Sequence, residues 1–411
     1  MPSSFTWLDH TDGDRRRVLE AVERFKETGT RDELGLGTIR DAFADLLFPG
    51  TSTIQTRARY FLFIPWMYAQ LHQKRVSADK VVDRARKEEV RLRDSLLQSE
   101  DDDGVIGKVA GAALKRLPSN TYWNGLAVWR IRQFGGSQED YHRFFDRFPL
   151  PGEGGTDDDG ESLEAGARPA WHPHLPPVPD DFPNNASFAL TPDEAVYLSE
   201  RICCAAPRSL LAFLVRRAQS LEAPFAWAHP QFAEFPESVQ QLLEHGRLLS
   251  EAMHGAAILY NLMLSEQLPE GERRTSLVEW FRARLDEWVN ELEPRQPALQ
   301  SWDLKAFWLI VQQRTAVSPT TRQFVERWLA LAPWRSPSMV ADNVAARALI
   351  RDRERRLKGP RARLGNTRAL ELWNGASGIA RLSYRWPSAV SILTDIHAAL
   401  PGRKGASHAV A

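Results

Sequence analysis

The chain has 411 residues, of which 43% are hydrophobic and 26% are charged, and its 53 basic residues equal its 53 acidic residues in number. This length is enough for two or three domains, and the composition excludes a chain that is disordered throughout. No apolar run approaches the roughly 20 residues that a membrane-spanning helix needs, and the first residues lack the pattern of a signal peptide. The sequence therefore predicts a cytoplasmic protein that makes no contact with a membrane.

Charge is distributed unevenly along this neutral chain. Residues 335–411 hold fourteen Lys and Arg against five Asp and Glu, whereas residues 153–194 hold ten acidic residues and one Arg. Charge that is segregated in this way predicts a local basic surface near the end of the chain, although the whole molecule is not drawn to polyanions.

Helical periodicity dominates the first 148 residues. Apolar residues recur there at spacings of three and four, which is typical of helices that bury one face. The predicted helices cover residues 14–27, 38–48, 60–68, 78–98, 105–117 and 122–134, and a further helix begins near Ser137.

Residues 149–187 are rich in Pro, Gly and Asp and interrupt the helical pattern. Such a composition buries too little apolar area to offset the entropy of the ordered chain, so it favours a linker or a long surface loop. We therefore expect two helical lobes, an N-terminal domain at 1–148 and a C-terminal domain at 188–400 with a basic Arg/Trp-rich end, followed by a flexible tail at 401–411.

The C-terminal lobe opens with a helix start signal. Thr191 is placed to cap a helix, Pro192 to occupy its first position, and Glu194 to complete a capping box. Further helices are predicted at 207–222, 237–266, 275–292 and 302–315, one after Ser318, and one from Ser336 to the Gly-Pro pair at 359–360. Alternating strand patterns are scarce. The predicted fold class is mainly α and multi-helical.

Searches for catalytic and metal motifs find no complete pattern. The phosphate loop GxxxxGK[ST], the dinucleotide turn GxGxxG, the zinc motif HExxH and zinc-spaced Cys/His quartets are absent. His172 and His174 offer two ligands without a third, which favours a solvated loop over a metal site. Asp303 and Lys305 have the spacing of a carboxylate and lysine in a metal-dependent nuclease, but no acidic partner precedes them. We predict no catalytic residue, metal site or cofactor.

Two arginines follow a flexible entry to an apolar helix in the stretch LLFPGTSTIQTRARYFLFIPW at 46–66. Helix N-termini attract anions, because their first N–H groups lack partners and carry the positive end of the helix dipole. Arg57 and Arg59 are therefore candidates for clamping a phosphate. In the alternative, a hydroxyl residue caps the helix and both arginines pair with Asp41 or Asp45. The residues alone leave both readings open.

The strongest basic candidate is the stretch RDRERRLKGPRARLGNTRALELWNGASGIARLSYRW at 351–386. Asp352–Arg356 and Glu354–Lys358 are spaced to stabilise a helix as ion pairs, but the turn that follows lacks such acids. Guanidinium groups beside aromatic rings suit both phosphate clamping and base stacking. In the alternative, the charges are solvated and the aromatic side chains belong to the core. The candidate nucleic-acid contacts here are Arg353, Arg356, Arg361, Arg363, Arg368, Trp373, Arg381, Tyr384 and Arg385.

The stretches RDAFADLLFPGTSTIQTRARYFLFIPW and LSYRWPSAVSILTDI, together with SFTWLD at 4–9, give the chain a family resemblance. It resembles an uncharacterised bacterial family of similar length, encoded beside helicases, methyltransferases or phospholipase-D-like nucleases in anti-phage defence islands. The resemblance runs the whole length except for 149–187. It implies an accessory role in genome defence and carries no catalytic residues with it.

Three functions follow from these observations. The first is a non-enzymatic accessory subunit that contacts DNA or RNA phosphates through the basic C-terminal region, and through Arg57 and Arg59, beside a helicase, nuclease or methyltransferase. The second is a protein–protein scaffold that binds no nucleic acid. The third is a metal-dependent nuclease built around Asp303 and Lys305.

Overall fold

The computed structural model describes residues 32–109, 114, 116–148, 169–335 and 340–401. Within these ranges the chain forms helices and turns and no β-strand, which confirms the mainly α prediction. An isolated β-bridge joins Arg132 and Trp171. The helix predicted at 14–27, the start predicted at Ser336 and nearly all of the predicted tail lie outside the described residues.

Fifteen α-helices span the described residues. They are α1 Gly37–Leu47, α2 Tyr60–Gln73, α3 Val81–Leu96, α4 Pro118–Val128, α5 Gln138–Arg143, α6 Pro192–Ala205, α7 Leu210–Arg217, α8 Glu237–Ser265, α9 Glu272–Leu292, α10 Gln296–Gln300, α11 Leu304–Gln312, α12 Pro319–Leu331, α13 Val344–Lys358, α14 Thr367–Glu371 and α15 Trp386–Ala399.

Several helix starts agree with their sequence signals. The Thr191 hydroxyl accepts a hydrogen bond from the Glu194 N–H at 3.2 Å, and the Glu194 carboxylate accepts one from the Thr191 N–H at 3.0 Å, which forms the predicted capping box. Ser318 caps α12 in the predicted way. Helix α13 begins instead after Asn343, whose side chain accepts from the Ala346 N–H. These local signals work because they satisfy N–H groups that have no partner within the helix.

The helix predicted at 105–117 is wrong in its first part, because residues 106–109 form turns, and residues 110–113 and 115 lie outside the described residues. Gly104 and Gly107 adopt positive φ angles, and the Ile106 N–H donates to the Tyr60 hydroxyl at 3.0 Å. This stretch therefore bonds to the side chain of another helix instead of building a helix of its own.

The helix predicted at 122–134 ends early, at Val128. Beyond it the backbone pairs with a distant segment: the Gln133 N–H donates to the Ala170 carbonyl, and the His172 N–H donates to the Ile131 carbonyl, both at 2.8 Å. The predicted helix at 207–222 is likewise shorter, since it spans only Leu210–Arg217. Hydrogen bonds between distant segments, such as those of Gln133 and His172, leave no periodic signal in the sequence.

The chain divides into two compact units. Unit 1 combines the residues up to Phe43 with Gln241–Ser383, and unit 2 combines Ala44–Gln240 with the residues from Tyr384 onward. The predicted division at 149–187 follows a different line and stays a prediction.

Unit 2 is built around the apolar helix α2. Twelve of the fourteen residues of α2 are buried, so the helix is hydrophobic on all sides, as helices in the centre of a core are. Helices α3 and α4 pack against it, and α15 packs against α6 and α7. Aromatic rings fill much of the space, including a stacked pair of Phe61 and Trp129 with centroids 3.8 Å apart.

Unit 1 holds most of the long helix α8, and two tryptophans fix its middle. The indole N–H groups of Trp288 and Trp328 donate to the carbonyls of Glu251 and Ala252 at 2.8 and 2.9 Å. Gly255 makes this approach possible, because a Cβ there would lie 2.3 Å from the Trp288 ring. Glycine within a helix costs about 1 kcal/mol relative to alanine, and here the close packing explains its presence.

We expect Gly255→Ala to lower the free energy of unfolding by about 1–3 kcal/mol, since the methyl group overpacks the contact with Trp288. In a Trp288→Leu background the same change should cost little or should stabilise α8. The measurement is a double-mutant cycle by chemical denaturation. Equal effects of Gly255→Ala in both backgrounds would contradict this account of the glycine.

Candidate functional site

Arg57, one of the two candidates before α2, is engaged by carboxylates of unit 2. Its Nε lies 3.1 Å from both carboxylate oxygens of Asp395, and its NH1 donates to Asp101 at 2.7 Å and to the Asp103 carbonyl at 3.0 Å. The guanidinium also lies over the Phe188 ring, 4.4 Å from its centroid. The Arg57 guanidinium is therefore engaged by two carboxylates, a carbonyl and an aromatic ring.

The Asp395 carboxylate also occupies the place where an anion was expected. It accepts a hydrogen bond from the Ala58 N–H at 2.7 Å, immediately before α2. Burial raises the pKa of this carboxyl, and its hydrogen bonds to Arg57 and the Ala58 N–H offset only part of that effect. The chain's own carboxylate therefore takes up contacts of Arg57 that the sequence hypothesis assigned to a phosphate.

Arg59 is buried and pairs with Glu194 at 2.8 Å, the residue that also completes the capping box of α6. Its NH1 donates to the Ser187 carbonyl at 2.9 Å. Both arginines therefore pair with acids of the chain, as the alternative reading expected. The acids are Asp395 and Glu194, however, and not Asp41 or Asp45.

Two of the C-terminal candidates lie inside unit 1. Arg353 is 4% exposed and donates to the carbonyls of Leu34 and Gly35 and to the Thr321 hydroxyl, at 2.8–3.1 Å. Burial lowers its pKa. Arg363, at 8% exposure, forms an ion pair of 3.0 Å with Glu33.

A buried charge network surrounds Arg363. The carboxylate of Glu354 has no exposed surface and accepts hydrogen bonds from the Tyr260 hydroxyl at 2.5 Å and from the N–H groups of Arg363 and Leu364 at 2.9 Å. Lys358 bonds to Glu354, to Glu33 and to the Tyr260 hydroxyl. The predicted Glu354–Lys358 pair is present, and it belongs to the interior.

Arg381 and Arg385 are also paired. Arg381 bonds to Glu291 and donates to the His254 imidazole at 3.2 Å, within unit 1. Arg385, in unit 2, bonds to Asp45 at 2.5 Å and to the Thr51 carbonyl at 2.8 Å.

The aromatic candidates are core residues. Trp373 is 3% exposed and donates its indole N–H to the Asn261 side chain at 3.2 Å. Tyr384 is 1% exposed and packs edge-on against Trp227. Base stacking needs an open ring face, so neither ring is available for it in this conformation.

Four arginines of the same run have exposed side chains with no hydrogen bond or ion pair in the described part of the chain: Arg351, Arg356, Arg361 and Arg368. The predicted pair Asp352–Arg356 does not form, because Asp352 bonds to Arg355 instead. Of the eleven candidate residues, Arg356, Arg361 and Arg368 are thus the ones that remain open to a phosphate.

The weaker catalytic and metal candidates, Asp303 and His172, form hydrogen bonds within the chain. The Asp303 carboxylate caps α11 through the Ala306 N–H at 3.0 Å. The His172 ring lies 2.6 Å from Arg201. In the ranges that the structure covers, no group of three His, Cys, Asp or Glu could hold a metal ion.

A cleft in unit 2 was not predicted from the sequence. It has a volume of about 590 Å³ and is lined by residues of α3, α4 and α5 and by Ala78 and Leu117. Its most buried acid, Glu89, is 3% exposed, and its oxygens accept from the Ser119 N–H at 2.9 Å and the Ser119 hydroxyl at 2.7 Å. Burial raises the pKa of the Glu89 carboxyl to about 7, although both hydrogen bonds from Ser119 lower it.

A chain of hydrogen bonds runs from Glu89 into the core. The Gln138 amide donates to the Ser119 hydroxyl and to the Tyr68 hydroxyl, both at 2.8 Å, and Tyr68 lies 2.7 Å from the His142 imidazole. Burial lowers the pKa of His142, which favours its neutral form. A perturbed carboxyl in a cleft with converging polar groups is a candidate binding site.

One sequence signal could have revealed this cleft. The buried residues of α3 are Val81, Ala85, Glu89, Leu92 and Leu96, which recur at helical spacing. An acid on the apolar stripe of an otherwise solvated helix is unusual, because burying an unpaired charge is costly.

The fold and these sites define a multi-helical protein whose arginines are largely paired within the chain. The model of a family of unknown function (DUF6361) matches residues 2–399, and the chain belongs to this family. No curated protein and no solved structure matches it. Among the helices that the structure describes, none combines the length and apolar character that crossing a bilayer demands.

We expect Arg57→Leu to lower the free energy of unfolding by about 3–5 kcal/mol, because it leaves the Asp395 carboxylate buried without its cation. Arg143→Leu is the control, since the Arg143 side chain is 59% exposed and its ion pairs should contribute at most about 1 kcal/mol. Chemical denaturation followed by helical circular dichroism measures both. Losses of similar size would mean that the Arg57 contacts are not structural.

Glu89 should make stability depend on pH. Its pKa is raised from 4.5 to about 7 on folding, so its stabilising contribution is complete below 4.5 and is lost as the pH rises through 7. The free energy of unfolding of the natural chain, relative to Glu89→Gln, should fall by about 3 kcal/mol over that range. Denaturation of both proteins at a series of pH values tests this, and parallel curves would refute it.

Proposed function

We propose that the protein is a non-enzymatic accessory subunit that acts in the cytoplasm and contacts nucleic-acid phosphates through Arg351, Arg356, Arg361 and Arg368. Its place in anti-phage defence, beside a helicase, nuclease or methyltransferase, follows from the family resemblance and is part of the proposal.

The observation that carries the proposal is surplus charge. Residues 351–368 hold eight Lys and Arg and two Asp and Glu. The buried arginines of this segment bond to carbonyls and carboxylates of unit 1, and Arg355 pairs with Asp352. What is left is a set of exposed guanidinium groups that have no counter-ion among the residues the structure describes. Guanidinium groups of this kind bind phosphates in a bidentate manner, and polyanions with many phosphates gain most from several of them.

The test is binding of a labelled short duplex, single strand and RNA by fluorescence anisotropy, between about 50 and 200 mM salt. Four phosphate contacts predict a plot of log affinity against log salt with a slope of roughly −3 to −4 for duplex DNA. Changing all four arginines to Glu should abolish binding, and each single change should reduce the slope by about 1.

A matched control changes Arg75, Arg84, Arg208 and Arg217 to Glu. Their side chains are exposed and form no hydrogen bond or ion pair in the described chain, and the change in net charge is identical. The control should bind almost as the natural chain does. Equal loss in both quadruple variants would show that only net charge matters, and absence of binding at low salt would remove the proposal.

A protein–protein scaffold is the second candidate, and exposed apolar residues within and beside residues 351–368 favour it. Val344 and Leu372 are each 81% exposed and Leu357 is 42% exposed. Exposed aliphatic side chains beside arginines are common where proteins meet. If a complex isolated from the host survives the arginine changes but is lost on Leu357→Ser and Leu372→Ser, the scaffold is the better description.

A further inference from the structure

The cleft between α3, α4 and α5 carries a carboxyl group that has no cationic partner. Glu89 forms no ion pair in the described chain, and its side chain accepts hydrogen bonds from Ser119. Buried acids are usually paired with a cation or bound to a metal. This one is held in place at the wall of an open space instead.

Among the charged neighbours of Glu89, Arg86 lowers the pKa of its carboxyl, but by less than burial raises it. On α3, the Arg86 guanidinium is exposed and donates to the Leu114 carbonyl at 3.2 Å. On α5, Arg143 bonds to Glu139 and to Asp140, at 3.2 and 3.3 Å.

Two further titratable groups lie near Glu89: the His142 imidazole on α5 and the Tyr68 phenol on α2. His142 shares the Tyr68 hydroxyl at 2.7 Å, and burial holds the pKa of His142 below and that of Tyr68 above the ordinary values. Both groups are therefore neutral around pH 7, so the charge of Glu89 has no buried counterpart.

The rest of the lining combines the polar side chains of Asn120 and Gln138 with aliphatic residues. Ala78, Val82, Ala85 and Leu117 contribute aliphatic surface, and Val82 at the cleft is 55% exposed. A volume of about 590 Å³ lies within the range of small-molecule sites, which combine apolar walls with a few fixed polar groups.

We propose that this cleft binds a small molecule with a protonated amine on a short aliphatic body, the amine bonding to Glu89 and the body lying against Val82 and Leu117. An ammonium group supplies the missing positive charge and donates to the carboxylate. Ser119 holds that carboxylate in place and is itself held by the Gln138 amide, so little ordering accompanies binding.

The probe is n-butylammonium, with n-butanol as its neutral counterpart and butyrate as an anion of similar length. Saturation-transfer NMR on the full chain detects weak binding through the aliphatic protons of each probe. We expect transfer to butylammonium that exceeds transfer to butanol and butyrate. It should strengthen as the pH rises from about 6 to 8, because Glu89 loses its proton over this range.

Two variants and one control locate the site. Glu89→Gln should weaken butylammonium binding by about tenfold, the loss of one charge-assisted hydrogen bond, and leave butanol unchanged. Val82→Trp should block the cleft without disturbing the core, because Val82 is half exposed. Val196→Trp, at a site that is 38% exposed and outside the cleft, should bind as the natural chain does.

Equal transfer to butylammonium and butanol in the natural chain would overturn the proposal, as would unchanged binding in Val82→Trp. If Glu89→Gln does not fold, Val82→Trp and its control still decide the matter. The quadruple arginine variant should bind the amine as the natural chain does. The test of this proposal is therefore independent of the test of nucleic-acid binding.

Discussion

The Asp395 carboxylate at the start of α2 is the contact on which unit 2 depends most. It accepts the Ala58 N–H, two residues before α2 begins, and neutralises Arg57, so a single side chain satisfies both a backbone donor at the entry to the helix and the cation beside it. Helix α2 is apolar on every side and must lie in the interior, where an unsatisfied N–H or an unpaired guanidinium would be costly. The same solution recurs at Arg59, which pairs with Glu194, the acid that completes the capping box of α6.

Internal pairing also limits what the basic C-terminal run can do. A count of Lys and Arg suggests a strongly basic surface, but the buried members of the run serve the interior of each unit. Glu354 and Glu33 absorb the charge of Lys358 and Arg363 within unit 1, and Arg385 is held by Asp45 within unit 2. Only the arginines that are not paired within the chain are available to a polyanion. The proposed contact is therefore confined to the exposed arginines of residues 351–368.

Local signals in the sequence were enough for the fold class and for most helices, because periodicity and capping express interactions between residues a few positions apart. The capping box at Thr191 and the all-apolar α2 are examples. The partners of Arg57 could not be predicted, since Asp395 lies 338 residues away and nothing in the local pattern marks the pair. The cleft at Glu89 could have been suspected from the sequence, because this acid interrupts the apolar stripe of α3. Its shape could not, because that depends on how α4 and α5 pack against α3.

The long separation between Asp395 and Arg57 has a consequence for synthesis of the chain. Domains usually fold as units while the chain leaves the ribosome, beginning with their N-terminal parts. Here Arg57, at the entry to α2, is made 338 residues before its counter-ion Asp395, so this apolar helix emerges long before the cation beside it is paired. An interrupted product that stops short of α15 would expose this helix, and we expect it to aggregate or to be degraded instead of accumulating as a shorter folded protein.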